Sequence, residues 1–190
     1  MLRAGGGPGT ILRMVSRGTE TSVQIRQAAP DDWAALRRVR LAALAEAPYA
    51  FSSTLAREID RPERHWRARI ADWPQFIAWA GAEPVGIAAG YAGPADDDSD
   101  QAGARGSWHL VSMWVSPQAR GRGIADELVA AVSGCARADG AGRLTLWVTD
   151  VNTRARAFYQ RMGFRSTGRR QLVRPEEPDQ WEQELALDLG

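Results

Sequence analysis

The chain contains no lysine, and all 24 of its basic residues are arginine. It therefore has no side-chain amine of its own to acylate. A single cysteine, Cys135, excludes an internal disulfide, as expected for a protein of the reducing cytoplasm. It sits in an Ala/Val-rich helical stretch and reads as a small core residue rather than a nucleophile. No apolar run is long enough to span a bilayer, and residues 1–20 lack the apolar segment of a signal peptide. An excess of one charge is also missing. With 23 acidic residues the formal net charge is +1, which offers no strong field for nucleic acid or a membrane surface. No metal site is expected, and no internal repeat is present.

What is there suits one globular domain. A chain of 190 residues with 44% apolar content can bury a sizeable core. Residues 1–21 are expected to form a disordered tail, with Met14 as an alternative start, and residues 22–190 a single domain. Alternation at residues 23–26 predicts a strand. Pro30-Asp31-Asp32 caps a helix whose apolar face is Trp33, Leu36, Val39, Ala43 and Leu44. A second helical region, broken near Pro62, covers residues 54–71. Residues 76–80 and 85–92 read as a hairpin. Residues 93–106 are rich in aspartate (Asp96, Asp97, Asp98, Asp100) and read either as a solvated connection or as a lid that attracts a cationic acceptor. Strands at 107–115 and 144–148, helices at 124–138 and 153–162, and strands at 164–170 and 183–189 complete a mixed α/β order.

The most informative residues are Gln118-Ala119-Arg120-Gly121-Arg122-Gly123-Ile124-Ala125. They join the 107–115 strand to the 124–138 helix. Glycines there let backbone N–H groups approach a ligand, and a helix N-terminus carries unpaired N–H groups and partial positive charge. The combination suits a phosphate or pyrophosphate. A dinucleotide fingerprint does not fit well, because the third glycine of G-x-G-x-x-G falls at Asp126 and the motif lies behind a hairpin rather than in an opening βαβ unit.

Arg120-Gly121-Arg122-Gly123-Ile124-Ala125, preceded by Val115-Ser116-Pro117 and followed by Asn152-Thr153-Arg154-Ala155-Arg156-Ala157-Phe158-Tyr159, resembles the GNAT superfamily of acyl-CoA-dependent N-acetyltransferases. The resemblance covers about residues 22–190. It implies a central mixed, mostly antiparallel sheet of about seven strands flanked by about four helices, with acetyl-CoA as the acetyl donor. By the same resemblance, backbone groups of Met113 and Val115 pair with the pantetheine arm. Backbone N–H groups over Gly121, Arg122, Gly123, Ile124, Ala125 and Asp126 hold the pyrophosphate, and the Arg120 and Arg122 side chains add charge. Asn152 matches the family's cofactor-contacting asparagine, and as a helix cap it has a structural role as well. Tyr159 matches the family's tyrosine near the sulfur, where a phenol can protonate the departing thiolate.

The base is a departure from the family. Where many members place a glutamate, this chain has His109, a side chain that titrates in the useful range. On an alternating strand, Ser107, His109, Val111, Met113 and Val115 would share one face, with Ser112 pointing the other way. Glu58 and His65 are weaker candidates. Tyr49, Phe51 and Ser52, in the link after the first helix, together with His109, are expected to shape the acceptor pocket. Trp79, Trp108, Trp114 and Trp147 read as core or sheet-face residues. The implied function is acetyl transfer to a primary amine by direct attack in a ternary complex. The acceptor is a small molecule or a protein lysine or N-terminal amine, and nucleic acid and membrane are not expected partners. A homodimer is an expectation of the resemblance alone. The alternative is a non-catalytic acyl-CoA-binding regulatory module.

Overall fold

The structure is a computed structural model that describes residues 13–15, 22–93 and 106–190. The acidic 93–106 connection, its two ends apart, lies outside the described residues. So does the tail expected to be disordered, except for Arg13–Val15. Those three residues form a strand, β1.

The remaining elements follow in order. They are β2 (Val23–Gln27), α1 (Trp33–Glu46), α2 (Leu55–Glu58), α3 (Glu63–Asp72), β3 (Gln75–Ala80), β4 (Glu83–Ala92) and β5 (Ser107–Val115). After these come α4 (Ile124–Ala138), β6 (Arg143–Thr149), α5 (Thr153–Arg161), β7 (Arg165–Leu172) and β8 (Trp181–Asp188). The sheet order is β1-β2-β3-β4-β5-β6-β8-β7, and β5–β6 is its one parallel pair among the described residues. This is the expected mostly antiparallel mixed α/β domain. The short β1 raises the strand count to eight, and the break at Pro62 splits the second helical region into α2 and α3.

Helical spacing places each helix's apolar stripe. On α1, Leu36, Val39, Ala43 and Leu44 are buried and pack with Trp66 of α3 and with Ile77, Ile87 and Trp114 of the sheet. On α4, Ile124, Leu128, Val129 and Val132 pack on the opposite face with Leu110, Leu144, Leu146 and Phe164. The sheet thus separates two cores, one under α1 and α3 and one under α4. Tyr159 of α5 belongs to the second. Cys135 packs against the α4 core and its thiol is pushed up by burial, away from the reactive thiolate form.

β5 does not alternate over its whole length. Ala89 of β4 faces Val111, but Ile87 faces Trp114, so two positions on β4 oppose three on β5. The extra residue makes a bulge, and Ser112 there has φ 58°, a value that is uncommon outside glycine. The face is reversed across the bulge. Trp108 and Leu110 point to the α4 core before it, and Met113 and Val115 point there after it, with Trp114 turned to α1. The expectation that His109 shares a face with Met113 and Val115 is therefore corrected: His109 lies on the α1/α3 side. Ser112 also sends its hydroxyl to that side, toward Arg40 of α1 and Arg69 of α3.

Candidate functional site

β5 and β6 pair only over Ser107↔Arg143, Trp108↔Leu144 and His109↔Thr145. Beyond this register no pairing joins them among the described residues, and the two strands diverge toward their C-terminal ends. A crevice at the C-terminal ends of parallel strands is a general location for ligand sites. Backbone N–H and C=O groups lining it are left for another partner. The glycine turn and the start of α5 follow the two strands at this same end.

Gly121 and Gly123 have φ 80° and 78°, and a Cβ built on either meets nothing within 4 Å. The turn is an open cradle, and its backbone conformation favours glycine. Gly123 is the N-cap of α4, so the unpaired N–H groups of the first turn face the cradle. The negative Asp126 in that turn is paired with Arg161 of α5 at 2.8 Å, which offsets its charge at an anion-receiving end. These features fit the pyrophosphate group that the sequence implies. Arg120 is turned elsewhere: its Nε donates to the Val115 carbonyl at 2.9 Å and its Nη2 to Glu46 at 2.8 Å. Glu46 also accepts from the Trp114 indole at 2.9 Å. Arg120 thus ties the turn to α1, which is a structural role. Asn152 caps α5 by accepting from the Ala155 N–H at 3.1 Å.

Tyr159 is buried between Phe158 and Phe164, with ring centroids 5.1 and 5.5 Å away. Burial pushes its phenol well above the ordinary value, so it holds its proton at neutral pH and can donate it.

His109 lies at the closed end of the divergence. Its Nδ1 is 2.6 Å from the Thr145 hydroxyl, which is also 3.3 Å from the Trp108 carbonyl. The contact fixes the place of the imidazole, and which of the two groups donates in it follows the ring's tautomer. Tyr91 packs against the ring at 5.2 Å, and Trp73 stacks on Tyr91 at 4.8 Å.

On the α1/α3 side the expected pocket residues separate. Tyr49 and Ser52 are exposed, whereas Phe51 is buried beneath the Arg40 guanidinium, 4.9 Å from Cζ to ring centre. The Phe51 carbonyl accepts from buried Arg174 at 3.0 Å. Arg174 is held in turn by Glu177, and Arg57 pairs with Glu176 at 2.6 Å. The β7–β8 connection is thereby strapped to the link after α1.

Glu58 is not available as a base. Burial alone would raise its carboxyl, but hydrogen bonds and charge from Arg40, a bond from Ser53 and the charge of Arg69 hold it below the ordinary carboxylate range. The His65 imidazole is held down by burial and by the charges of Arg69 and Arg61. Arg40 and Arg69 were not among the residues expected from sequence. The available signal was an arginine at position 40, inside the apolar stripe of Leu36, Ala43 and Leu44.

A sequence model of the acetyltransferase (GNAT) family matches residues 38–164, more than half of the chain. No curated protein matches it. Among solved structures, an acetyltransferase of the GNAT family from Streptococcus pneumoniae is similar at 20% identity, with TM-score 0.67 over 88% of this chain and 99% of that one. The yncA protein of Salmonella typhimurium, solved with its cofactor acetyl-CoA, is similar at 18% identity, with TM-score 0.68 over 88% and 94%. A ribosomal-protein-alanine N-acetyltransferase from Brucella melitensis is similar at 21% identity, with TM-score 0.66 over 86% and 98%.

Gly123→Val forces a β-branched side chain into a left-handed conformation and into the cradle. We expect calorimetric titration with coenzyme A to show binding weakened by at least about 100-fold, with the far-ultraviolet dichroism of the sheet kept. The Glu58 carboxylate gives a pH signature. Its folded pKa lies below the ordinary 4.5, so its contribution is complete above that value and disappears as pH falls through the lowered one. Urea unfolding is expected to show Glu58→Gln destabilised by about 3–5 kcal/mol at pH 7, because the arginines lose their counter-charge. The deficit relative to wild type should shrink in acid.

Proposed function

The chain belongs to the acetyltransferase (GNAT) family, and on that premise we propose that it moves an acetyl group from acetyl-CoA to a primary amine by direct attack in a ternary complex. The observation that carries this reading is the divergence of β5 from β6, headed by the glycine cradle at the N-terminus of α4. In this proposal the N–H groups of the 121–126 turn hold the pyrophosphate. Backbone groups of Met113 and Val115 hold the pantetheine arm. Bound there, acetyl-CoA supplies the thioester carbon that the amine attacks.

The reversal of faces at Ser112 supports a division of labour. Met113, Val115 and Tyr159 belong to the α4 core, whereas His109 faces α1 and α3. Donor and acceptor then approach the gap from opposite sides. His109, through Nε2 or an intervening water, takes the proton that a protonated amine must lose. A C–N bond forms as the C–S bond breaks, and Tyr159 protonates the thiolate. A backbone N–H near Val115 steadies the carbonyl oxygen as it gains charge. Holding both substrates in one gap supplies much of the rate. Cys135, in the α4 core with a raised pKa, takes no part as a covalent carrier.

Tyr159→Phe is expected to reduce turnover by about 100-fold while calorimetric affinity for acetyl-CoA is nearly unchanged; turnover equal to wild type would remove the acid role. His109→Ala is expected to lower kcat/KM and to abolish the acid limb of its pH profile. An unaltered profile would assign proton removal to water alone.

A further inference from the structure

The α1/α3 side of the sheet contains an ionic cluster that the transfer chemistry does not use. Arg40 is 6% exposed and Glu58 6%. Arg40 Nε and Nη2 donate to the two Glu58 oxygens at 3.1 and 2.8 Å, a bidentate pairing, and Ser53 bonds the same carboxylate. Arg69 reaches the same carboxylate only at 3.4 Å. Among the described residues its buried Nε has no hydrogen-bond partner. Among those residues two guanidiniums are therefore opposed by one carboxylate, in a place where uncompensated charge is costly. Desolvation and the neighbouring Arg40 charge lower the Arg69 pKa, with Glu58 opposing them. The guanidinium nevertheless stays charged, as arginine does in proteins.

Both arginines point at Ser112. Arg40 Nη1 and Arg69 Nη2 lie 3.5 and 3.3 Å from its hydroxyl, long contacts to a neutral acceptor. Ser112 is the residue at φ 58°, and such backbone strain concentrates at functional sites. The surplus positive charge is thus directed at the bulge where β5 leaves β6, beside the gap in which the amine is acetylated.

We propose that Arg69, with Arg40 and the Ser112 hydroxyl, receives a carboxylate carried by the acceptor, so that the acceptor is an amino-acid-type amine rather than a simple amine or a protein lysine. This rests on the acetyl-transfer reading above. Arg69 has the donors for it: Nε–H and one Nη2–H lie parallel on one edge of a guanidinium and match the two oxygens of a carboxylate. The Nε–H is the one without a partner, and Nη2 gives up only a long bond to a serine. Glu58 fixes Arg40 and cannot neutralise both cations. An acceptor without an anionic group would leave the surplus charge uncompensated, and sites built this way discriminate strongly against the analogue that lacks the group.

The test measures acetyl-CoA-dependent release of coenzyme A by the full chain with the common L-amino acids, their α-amides, their decarboxylated amines and short lysine peptides. The best amino acid is expected to exceed its amide by at least about 100-fold in kcat/KM. That gap should collapse to below about 10-fold in Arg69→Gln and recover in part in Arg69→Lys, which keeps the charge but loses the fork. Amides, simple amines or peptides turned over as well as the amino acids would overturn the inference and leave acetyl transfer standing. Should Arg69→Gln fail to fold, the comparison of amino acids with amides on the wild type decides alone. Should no amine be turned over, calorimetry with the N-acetyl-amino acids and their amides decides. Carboxylate-dependent binding upholds the site although the transfer reading fails, and absence of binding overturns both.

Discussion

Among the described residues backbone pairing between β5 and β6 stops after His109 and Thr145, and the groups these strands turn toward each other beyond it are not paired between them. Buried backbone donors and acceptors need partners, so a parallel pair that opens has to be completed by something else. Three features converge on that opening. The glycine turn and α4 supply N–H groups at its mouth. The bulge at Ser112 reverses the faces of β5 so that its two halves serve opposite sides of the sheet. Tyr159 lies in the core on one side and His109 faces the other. Removing the bulge would restore strict alternation, return Met113 and Val115 to the α1 side and turn Trp114 to α4, the reversal that any one-residue slip in a strand makes.

The two sides are held by different forces. The α4 side is an apolar core of Ile124, Leu128, Val132, Leu144 and Leu146, stabilised by area removed from water. The α1/α3 side also contains a hydrophobic cluster around Leu36 and Trp66, but it encloses charged groups: Arg40, Glu58 and Arg69 under the bulge, and Arg174 under the α1–α2 link. Buried ion pairs add little net stability over apolar packing of the same shape, and they are costly once broken. What they supply here is position, because each guanidinium has fixed donors and each carbonyl or carboxylate a fixed place. A division between an apolar side and a polar, pinned side fits the two-substrate gap proposed above.

Much of this was legible in the sequence. Glycines at 121 and 123 between a strand and a helix identify the cradle, since their positive φ values are what glycine is used for. Helical spacing gave α1 and α4, and the expected Asn152 cap is made, whereas Asp32 stands at the N-cap of α1 with its carboxylate held by Arg26 instead of a helix N–H. The failures have physical causes. Ser112 carries no sequence mark of a bulge, because serine is an ordinary strand residue and the reversal appears only when β4 pairs with β5. The period of two was therefore extended through it, and His109 was put on the wrong face. Arg40 and Arg69 did not enter the sequence reading, because arginine is nearly always exposed and their pairing depends on a carboxylate 18 and 11 residues away respectively. Arg120 was expected at the phosphates from its place in the motif, but its side chain is drawn to the nearby Val115 carbonyl and to Glu46 of α1, which is remote in sequence.

The strap from Arg174 to the Phe51 carbonyl joins residues 123 positions apart. Most of the chain is enclosed between these two residues, including the bulge, the cradle and α5. The wall on the α1/α3 side is consequently a high-contact-order feature, whereas the cradle and its helix are local to a few consecutive residues. Closing so long a loop carries an entropy cost that local turns avoid. The order of assembly follows from that difference: the cradle end of the gap takes shape from neighbours in sequence, and the α1/α3 side is closed only when segments 123 residues apart meet.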